Sequence, residues 1–279
     1  MTKATHDDQV ISMWLSDKAE STIKTYSSIV KQFKSFIPQP LSQITLEELM
    51  QWREKLSFQY KITTANKKLS TIKSLFNFAI QIGYIKFNPA KVIKSLKESK
   101  DKAVNSLDAT ERIISNDEVR SLISAAKSHR DRLLLKTTYL LGLRVHEAIN
   151  LHWQDFSIAP NGDYRVKIIG KNSKVRFNNI SRDLYNELKS LDTEGYIFQS
   201  NRGKKLSRTM AHYIIKDAGK LAGLKEEVSF HWLRHCHASH SLANGASLKS
   251  VQHQLGHSSI AVTSIYLHDN NSSTNYLNI

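Results

Sequence analysis

A change of hydrophobic period in the middle of the chain limits what it can become. On either side of residues 156–180, apolar side chains recur at helical spacing, every three or four positions. Within that stretch the period falls to two. Phe156 to Ala159, Tyr164-Arg-Val-Lys-Ile-Ile and Lys174-Val-Arg-Phe-Asn-Asn-Ile read as short strands. Asn161-Gly162 supplies a type I′ turn between the first two, and Gly170-Lys-Asn-Ser a second turn. Only four prolines and ten glycines occur in 279 residues, which favours long helices elsewhere. The expected fold class is mostly α, with a small antiparallel β-sheet set into an α-rich C-terminal part.

The first hundred residues carry helical patterns alone. Residues 8–37 read as a helix pair in which Ile23, Tyr26, Ile29, Val30, Phe33 and Phe36 share a face, with Lys24, Lys31 and Lys34 elsewhere on the wheel. Pro38-Gln-Pro40 breaks it. Thr45-Leu-Glu-Glu48 has the form of a capping box and opens a helix bearing Leu49, Trp52 and Leu56. A long helix follows from Thr63 to Ile82, with Leu69, Ile72, Leu75, Phe76 and Ala79 as its stripe. Gly83 stops it, and Asn88-Pro89 marks the next turn. From residue 94 to 111 the periodicity lapses into polar sequence. The chain therefore divides into an all-α unit, 1–96, with lysines on its outer faces, a linker, 97–111, and a second domain, 112–279.

In the second domain, Ser115-Asn-Asp-Glu118 is another capping box. Asp131 to Leu141 reads as a buried helix ending at Gly142, and Leu143-Arg144-Val-His-Glu147 opens the next. After the strands, helical patterns resume at Ser181 and Ser207 and run to about Leu267, leaving a polar tail.

Forty Lys and Arg against 25 Asp and Glu give a net charge of +15. Residues 1–100 hold 16 against 8 and the remainder 24 against 17, so both parts are basic. A phosphate polymer is the natural partner of such a field, and a solubility charge is the plainer explanation of it. At 40% hydrophobic and 23% charged residues the chain is not of the disordered class. No apolar run reaches the roughly 18 residues of a membrane span, so no membrane partner is expected. Residues 1–8 contain no apolar signal core. The single cysteine, Cys236, excludes an internal disulfide framework and suits a reducing cytosol, so the expected location is cytoplasmic.

The stretch His231-Trp-Leu-Arg-His-Cys-His, running on through Leu255-Gly-His257 to Tyr266, gathers groups that burying a core does not require. Attack on a DNA phosphate by a tyrosine would require them. A phenol has a pKa of about 10 and must be helped to lose its proton. The phosphorane-like transition state gains equatorial negative charge, which the planar fork of arginine suits. The leaving 5′-oxygen needs a general acid. One Tyr, two Arg, and His and Lys for proton traffic make up the kit, and no metal or other cofactor is needed if arginines carry the charge.

Leu141-Gly-Leu-Arg144-Val-His-Glu147 resembles the first arginine box of the tyrosine recombinases, the phage integrase and Xer family. Gly170-Lys171 followed by Lys174-Val-Arg176 is similar to the family's hairpin lysine segment. His231-Trp-Leu-Arg234-His235 matches its His-x-x-Arg box, and Leu255-Gly-His257-Ser-Ser with Tyr266, nine residues later, matches the last. Any one box is weak; all in order, with a hairpin where the lysine belongs, are specific. The resemblance covers Ile113 to Leu267 and, more loosely, the N-terminal unit, which resembles the family's core-binding domain.

It implies a site-specific recombinase that cuts and rejoins DNA through a 3′-phosphotyrosyl bond and a Holliday junction. Tyr266 would be the nucleophile, and Arg144 and Arg234 would clamp the non-bridging oxygens. Lys171 would protonate the 5′-oxygen. His231 would take the tyrosine proton or hold it in transit, and His257 would hydrogen-bond the phosphate. Glu147 would orient Arg144. Lys174 and Arg176 share the hairpin with Lys171, and its register decides which side chain faces DNA. With Lys67, Lys68 and Lys73 of the N-terminal unit, they are the candidate DNA contacts. The implied partners are duplex DNA with inverted-repeat core sites and three further protomers in a synapse, with a place for helper proteins. Exchange of a C-terminal helix between protomers would rest here on a short, mostly polar tail, with Tyr276, Leu277 and Ile279 as its apolar residues.

Plainer readings exist for each residue taken singly. Tyr266 could be a core aromatic at helical spacing with Val262, and the arginines could be surface or ion-paired. His235 reads as a helix histidine and Cys236 as an inert helix residue. His231/His235 and His253/His257 have a zinc-compatible spacing. No Glu is bracketed in the His-Glu-x-x-His manner and Arg234 would lie beside the ion, so a metal is not expected. A type IB-like topoisomerase and a non-catalytic DNA-binding regulator on the same fold are the alternative functions.

Overall fold

The computed structural model describes residues 2–97, 113–159, 162–170, 174–225, 228–256 and Thr263. The chain divides into two compact units, Met1–Val104 and Asn105–Ile279. The expected linker, apart from residue 97, lies outside the described residues. So do Lys171, His257, Val262, Tyr266 and the tail residues Tyr276, Leu277 and Ile279.

The first unit is helical: α1 (Asp7–Ser16), α2 (Glu20–Phe36), α3 (Leu46–Gln59) and α4 (Ile62–Gln81), then a 3-10 helix, Pro89–Val92. Its organising element is α4, whose stripe Leu69, Ile72, Leu75, Phe76 and Ala79 is buried. Against it lie Val10 and Trp14 of α1, Ile29, Val30 and Phe33 of α2, and Leu49, Trp52 and Leu56 of α3. Phe33 meets Trp52 edge-on at 4.9 Å and Phe76 at 6.3 Å, a geometry that aromatic quadrupoles favour. The Thr45 capping box is formed: Glu48 N–H donates to Thr45 Oγ1 at 3.4 Å and Thr45 N–H to Glu48 Oε2 at 2.9 Å. Asp7 ties the first turn of α1 to the unit, accepting from Leu41 N–H at 3.0 Å, Lys34 Nζ at 2.8 Å and Tyr84 Oη at 3.0 Å.

Placement on an outer face fails for one candidate lysine. Lys67 is exposed and Lys73 half-buried, whereas Lys68 is buried beside Leu69. Its ammonium lies 4.0 Å from the Tyr60 ring centroid and donates to Gln32 Oε1. Position 68 borders the apolar stripe of α4, so its stem lies along the core while its head finds an aromatic face and an amide.

The second unit opens with α5 (Asn116–Ser124), capped by Ser115 and Glu118 as the sequence predicts. Next, α6 (His129–Leu141) starts two residues before the apolar run, because Ser128 Oγ accepts from Asp131 N–H at 3.1 Å. Leu133, Leu134 and Leu135 are all buried, so α6 is enclosed by the domain's core. It ends at Gly142, in the left-handed region at φ 60°. The single turn α7 (Val145–Ile149) follows, then the sheet.

Strands β1 (Phe156–Ile158), β2 (Tyr164–Ile169) and β3 (Val175–Ile180) form an antiparallel sheet in the order β1-β2-β3. Ala159 N–H donates to Asp163 O at 2.7 Å across the first turn, where Gly162 takes φ 85°. Ile169 pairs with Val175, and Gly170 N–H donates to Lys174 O at 2.8 Å at the mouth of the second. On β3 the face with Val175, Phe177 and Asn179 is exposed, and the face with Arg176, Asn178 and Ile180 is buried. After α8 (Arg182–Lys189) and α9 (Arg208–Leu221) come α10 (Phe230–Ala243) and α11 (Leu248–Leu255), with α10 packed on α6. Among the described residues no helix is long and apolar enough to cross a membrane.

Candidate active site

The buried face of β3 and the ends of two helices enclose a cluster of guanidinium groups around one carboxylate. Helices α6 and α11 both end in a left-handed glycine, Gly142 at φ 60° and Gly256 at φ 64°, which leaves their last carbonyls to be satisfied from elsewhere. Arg234, on α10, takes two of them: Nη1 donates to Gly142 O and Nη2 to Leu255 O, both at 2.6 Å. Asn178 Nδ2 donates to Leu141 O at 3.1 Å and Gln254 O at 3.2 Å, and Arg176 Nε to Gln254 O at 2.7 Å. Cations at helix C-termini also meet the negative ends of the helix dipoles.

Glu147 is the hub. Its side chain is 1% exposed and receives Arg176 through a two-pronged contact, Nη1 to Oε1 at 2.9 Å and Nη2 to Oε2 at 2.8 Å. Arg144 reaches it twice, through Nη1 to Oε1 at 3.0 Å and through its own backbone N–H to Oε2 at 2.8 Å. The second contact caps the first turn of α7. Arg234 Nη1 lies 3.8 Å from Oε2. Burial by itself would raise the Glu147 pKa. The hydrogen bonds and charge of Arg176, then the Arg144 N–H and the Arg234 charge, outweigh it and hold the carboxyl at about 2.

Of the residues singled out from sequence, the fold brings together Arg144, Glu147, Arg176 and Arg234. Arg144 faces outward, with its side chain 41% exposed; that of Arg234 is 3% exposed. His231 lies one turn before Arg234 on α10, is exposed, and meets the His235 ring edge-on at 4.3 Å between centroids. Lys174 is exposed at the hairpin mouth. Arg176 corrects an expectation. As a candidate DNA contact it would point outward, but it is buried, because the β2–β3 register turns every even-numbered residue of β3 inward. Asn178 and the carbonyls of Leu141, Gly142, Gln254 and Leu255 were not read from the sequence. Strand alternation from Ile180 would have put Arg176 and Asn178 on the core side, but two polar residues there do not look like a core face.

Burial pushes the Cys236 thiol up to about 11, and Sγ is 3.7 Å from Ile114 O, as befits an unreactive helix residue. Among the described residues no three His, Cys, Asp or Glu gather as a metal site would. His237, nearly one turn past Arg234, contacts Gln254 Oε1 at 3.2 Å, and burial lowers its pKa, favouring the neutral ring.

Gly142 cannot carry a side chain. A Cβ there would stand 2.6 Å from His237 Cδ2 and 2.7 Å from Leu255 Cδ2, at φ 60°. Gly142→Ala is expected to cost about 1–3 kcal/mol of stability from strain and overpacking. It should also displace the carbonyl that Arg234 holds. A urea midpoint equal to that of the unsubstituted chain would refute this.

Residues 112–273 match the phage integrase family, and residues 12–83 the phage integrase N-terminal SAM-like domain. The tyrosine recombinase XerC of Thermodesulfovibrio yellowstonii is 29% identical over 275 residues, spanning 88% of this chain and 85% of that protein. Two solved structures share the fold. XerH site-specific recombinase in a post-cleavage complex on palindromic difH substrate has a TM-score of 0.71 at 23% identity, covering 90% of this chain and 77% of that one. A lambda integrase tetramer bound to a Holliday junction has a TM-score of 0.72 at 24% identity, covering 90% and 76%.

Proposed function

The chain belongs to the phage integrase family and is a tyrosine-type site-specific recombinase, and from that premise we propose that Tyr266 attacks a DNA phosphate held by Arg144 and Arg234. The observation that carries this is a charge imbalance. Among the described residues, three guanidiniums, of Arg144, Arg176 and Arg234, converge on the carboxylate of Glu147, two of them buried and that of Arg144 facing outward. A phosphodiester brings one negative charge, and its pentacoordinate transition state gathers a second. The site is therefore better matched to the transition state than to the ground state.

In the proposed step, the Tyr266 Oη–P bond forms as the P–O5′ bond breaks. The phenol proton passes to His231, Lys171 gives a proton to O5′, and His257 hydrogen-bonds a phosphate oxygen. The products are a 3′-phosphotyrosyl bond and a free 5′-hydroxyl. Attack by a 5′-hydroxyl from the partner duplex reverses the step on a new strand. The ester bond energy is conserved, so no ATP is consumed and no cofactor is required. Residues 1–96 grip the core site, with Lys67 and Lys73 toward the phosphates, 97–111 link, and 112–279 cut. The partners are duplex DNA with inverted-repeat core sites and other protomers, four to a synapse, with helper proteins setting direction, in the cytoplasm. The XerH complex on its DNA substrate and the integrase tetramer on a Holliday junction support DNA and further protomers as partners by likeness. Relatives named as recombinases favour strand exchange over simple relaxation of supercoils.

The test is a nicked suicide substrate, from which the cleaved strand end diffuses away. A protein–DNA adduct should accumulate on a denaturing gel, with EDTA present or absent, and its absence would refute the reading. Lys171→Ala is expected to slow cleavage by about 10²–10⁴-fold. A substrate with a 5′-thio leaving group, which needs little protonation, should restore it. Lys174→Ala should show neither effect, and the opposite pattern would transfer the general acid to Lys174.

A further inference from the structure

Arg176 stands where three parts of the proposed machinery meet, and no phosphate can reach it. It is 8% exposed, and its guanidinium is committed to both oxygens of Glu147 at 2.9 and 2.8 Å and, through Nε, to Gln254 O at 2.7 Å. One glycine makes room for it and a second borders it. A Cβ on Gly256, which takes φ 64°, would lie 3.2 Å from Arg176 Cδ and Nη1, and one on Gly170 would lie 3.7 Å from Nη1. Gly170 is the mouth of the hairpin that continues into Lys171. Gly256 is the last residue before the segment that holds His257 and Tyr266. One side chain thus spans the base of the hairpin, the carboxylate that orients Arg144, and the helix end that precedes the nucleophile. Two strand positions on, Asn178 repeats the bond to Gln254 O and adds Leu141 O, so β3 holds the ends of α6 and α11 together.

We propose that Arg176 is a positioning residue for cleavage: it fixes Glu147, and through it Arg144, and sets the end of α11 against the base of the hairpin. The inference rests on the cleavage reading above. It assigns Arg176 no contact with DNA. Both ends of the guanidinium fork are engaged on Glu147, so lysine cannot reproduce the arrangement: it keeps the charge and loses the paired contact.

The discriminating experiment separates the chemical step from binding. Arg176→Gln and Arg176→Lys are assayed for adduct formation in a single turnover at saturating DNA, and for duplex affinity across a salt series. Circular dichroism establishes a temperature at which each variant is folded. Arg176→Gln should cut the saturated rate by about 10- to 100-fold, the usual cost of losing the partner of a reacting group. Arg176→Lys should fall between it and the unsubstituted chain. Affinity should change less than about twofold, with an unaltered slope against log salt. A slope smaller by about one, the loss of one phosphate contact, with the rate recovered at saturating DNA, would overturn the proposal. So would an undiminished saturated rate in both variants. If Arg176→Gln fails to fold, Arg176→Lys decides by the same two measurements. The absence of any adduct from the unsubstituted chain would refute the cleavage reading itself, a different outcome from either of these.

Discussion

Tyr266→Phe is expected to abolish the covalent protein–DNA adduct while leaving duplex binding intact. The substitution removes one oxygen, the atom that would bond to phosphorus, and none of the groups that would hold the phosphate. Losing the nucleophile of a covalent mechanism costs on the order of 10⁶-fold in rate. Here the adduct has no other route, so it should fall below detection on a denaturing gel. Affinity is governed mainly by phosphate contacts from a chain of net charge +15, and one hydroxyl contributes little to that. The dissociation constant should stay within about twofold at any fixed salt. An adduct that persists in Tyr266→Phe would assign the nucleophile elsewhere.

The second large effect is expected at Glu147. In Glu147→Ala the guanidiniums of Arg144, Arg176 and Arg234 lose their shared counter-charge. The Arg144 N–H at the start of α7 also loses its acceptor. Breaking a buried ion pair from one side costs about 3–5 kcal/mol, so the urea midpoint should fall well below that of the unsubstituted chain. Cleavage should fall with it, because Arg144 would no longer be fixed. Glu147→Gln keeps the shape and one acceptor oxygen and should be milder.

The pH dependence has a definite sign. The folded chain holds this carboxyl at about 2, below the ordinary value of 4.5. The ionised form is therefore the one stabilised on folding. Its contribution is fully present above 4.5 and is lost as pH falls from there toward 2. The stability gap between the unsubstituted chain and Glu147→Gln should be constant from pH 8 to about 5 and shrink below. A gap independent of acid would mean that the charge of Glu147 is not what stabilises.

Much of the architecture could be read locally. The capping boxes at Thr45 and Ser115 are formed where the pattern of hydroxyl and glutamate placed them. Gly142 ends α6, and the period of two marks the three paired strands. These are decisions made within a few residues, by side chains competing for nearby backbone groups or by alternation across a pleat, so a linear reading can find them. The long charged side chains were harder. Lys68 and Arg176 are both candidate DNA contacts by sequence, and both are buried. A basic residue is usually solvated, and only its neighbours in space can reverse that. Tyr60 and Gln32 do so for Lys68, and Glu147 and Gln254 O for Arg176.

The sequence by itself determined that this is a mostly helical chain with one antiparallel sheet, and which residue types are available for phosphate chemistry. Both follow from periodicity and from the order of the boxes. The tertiary structure decided which of the basic residues confront one another. Arg144, Arg176 and Arg234 come from α7's cap, β3 and α10; Arg144 meets Glu147 within α7, while Arg176 and Arg234 reach it from elements that also bond the last carbonyls of α6 and α11. Unmet carbonyls at a helix end must find partners when buried, and which partners they find depends on where other elements arrive. That information is distributed over some hundred residues of the chain and appears in no single box.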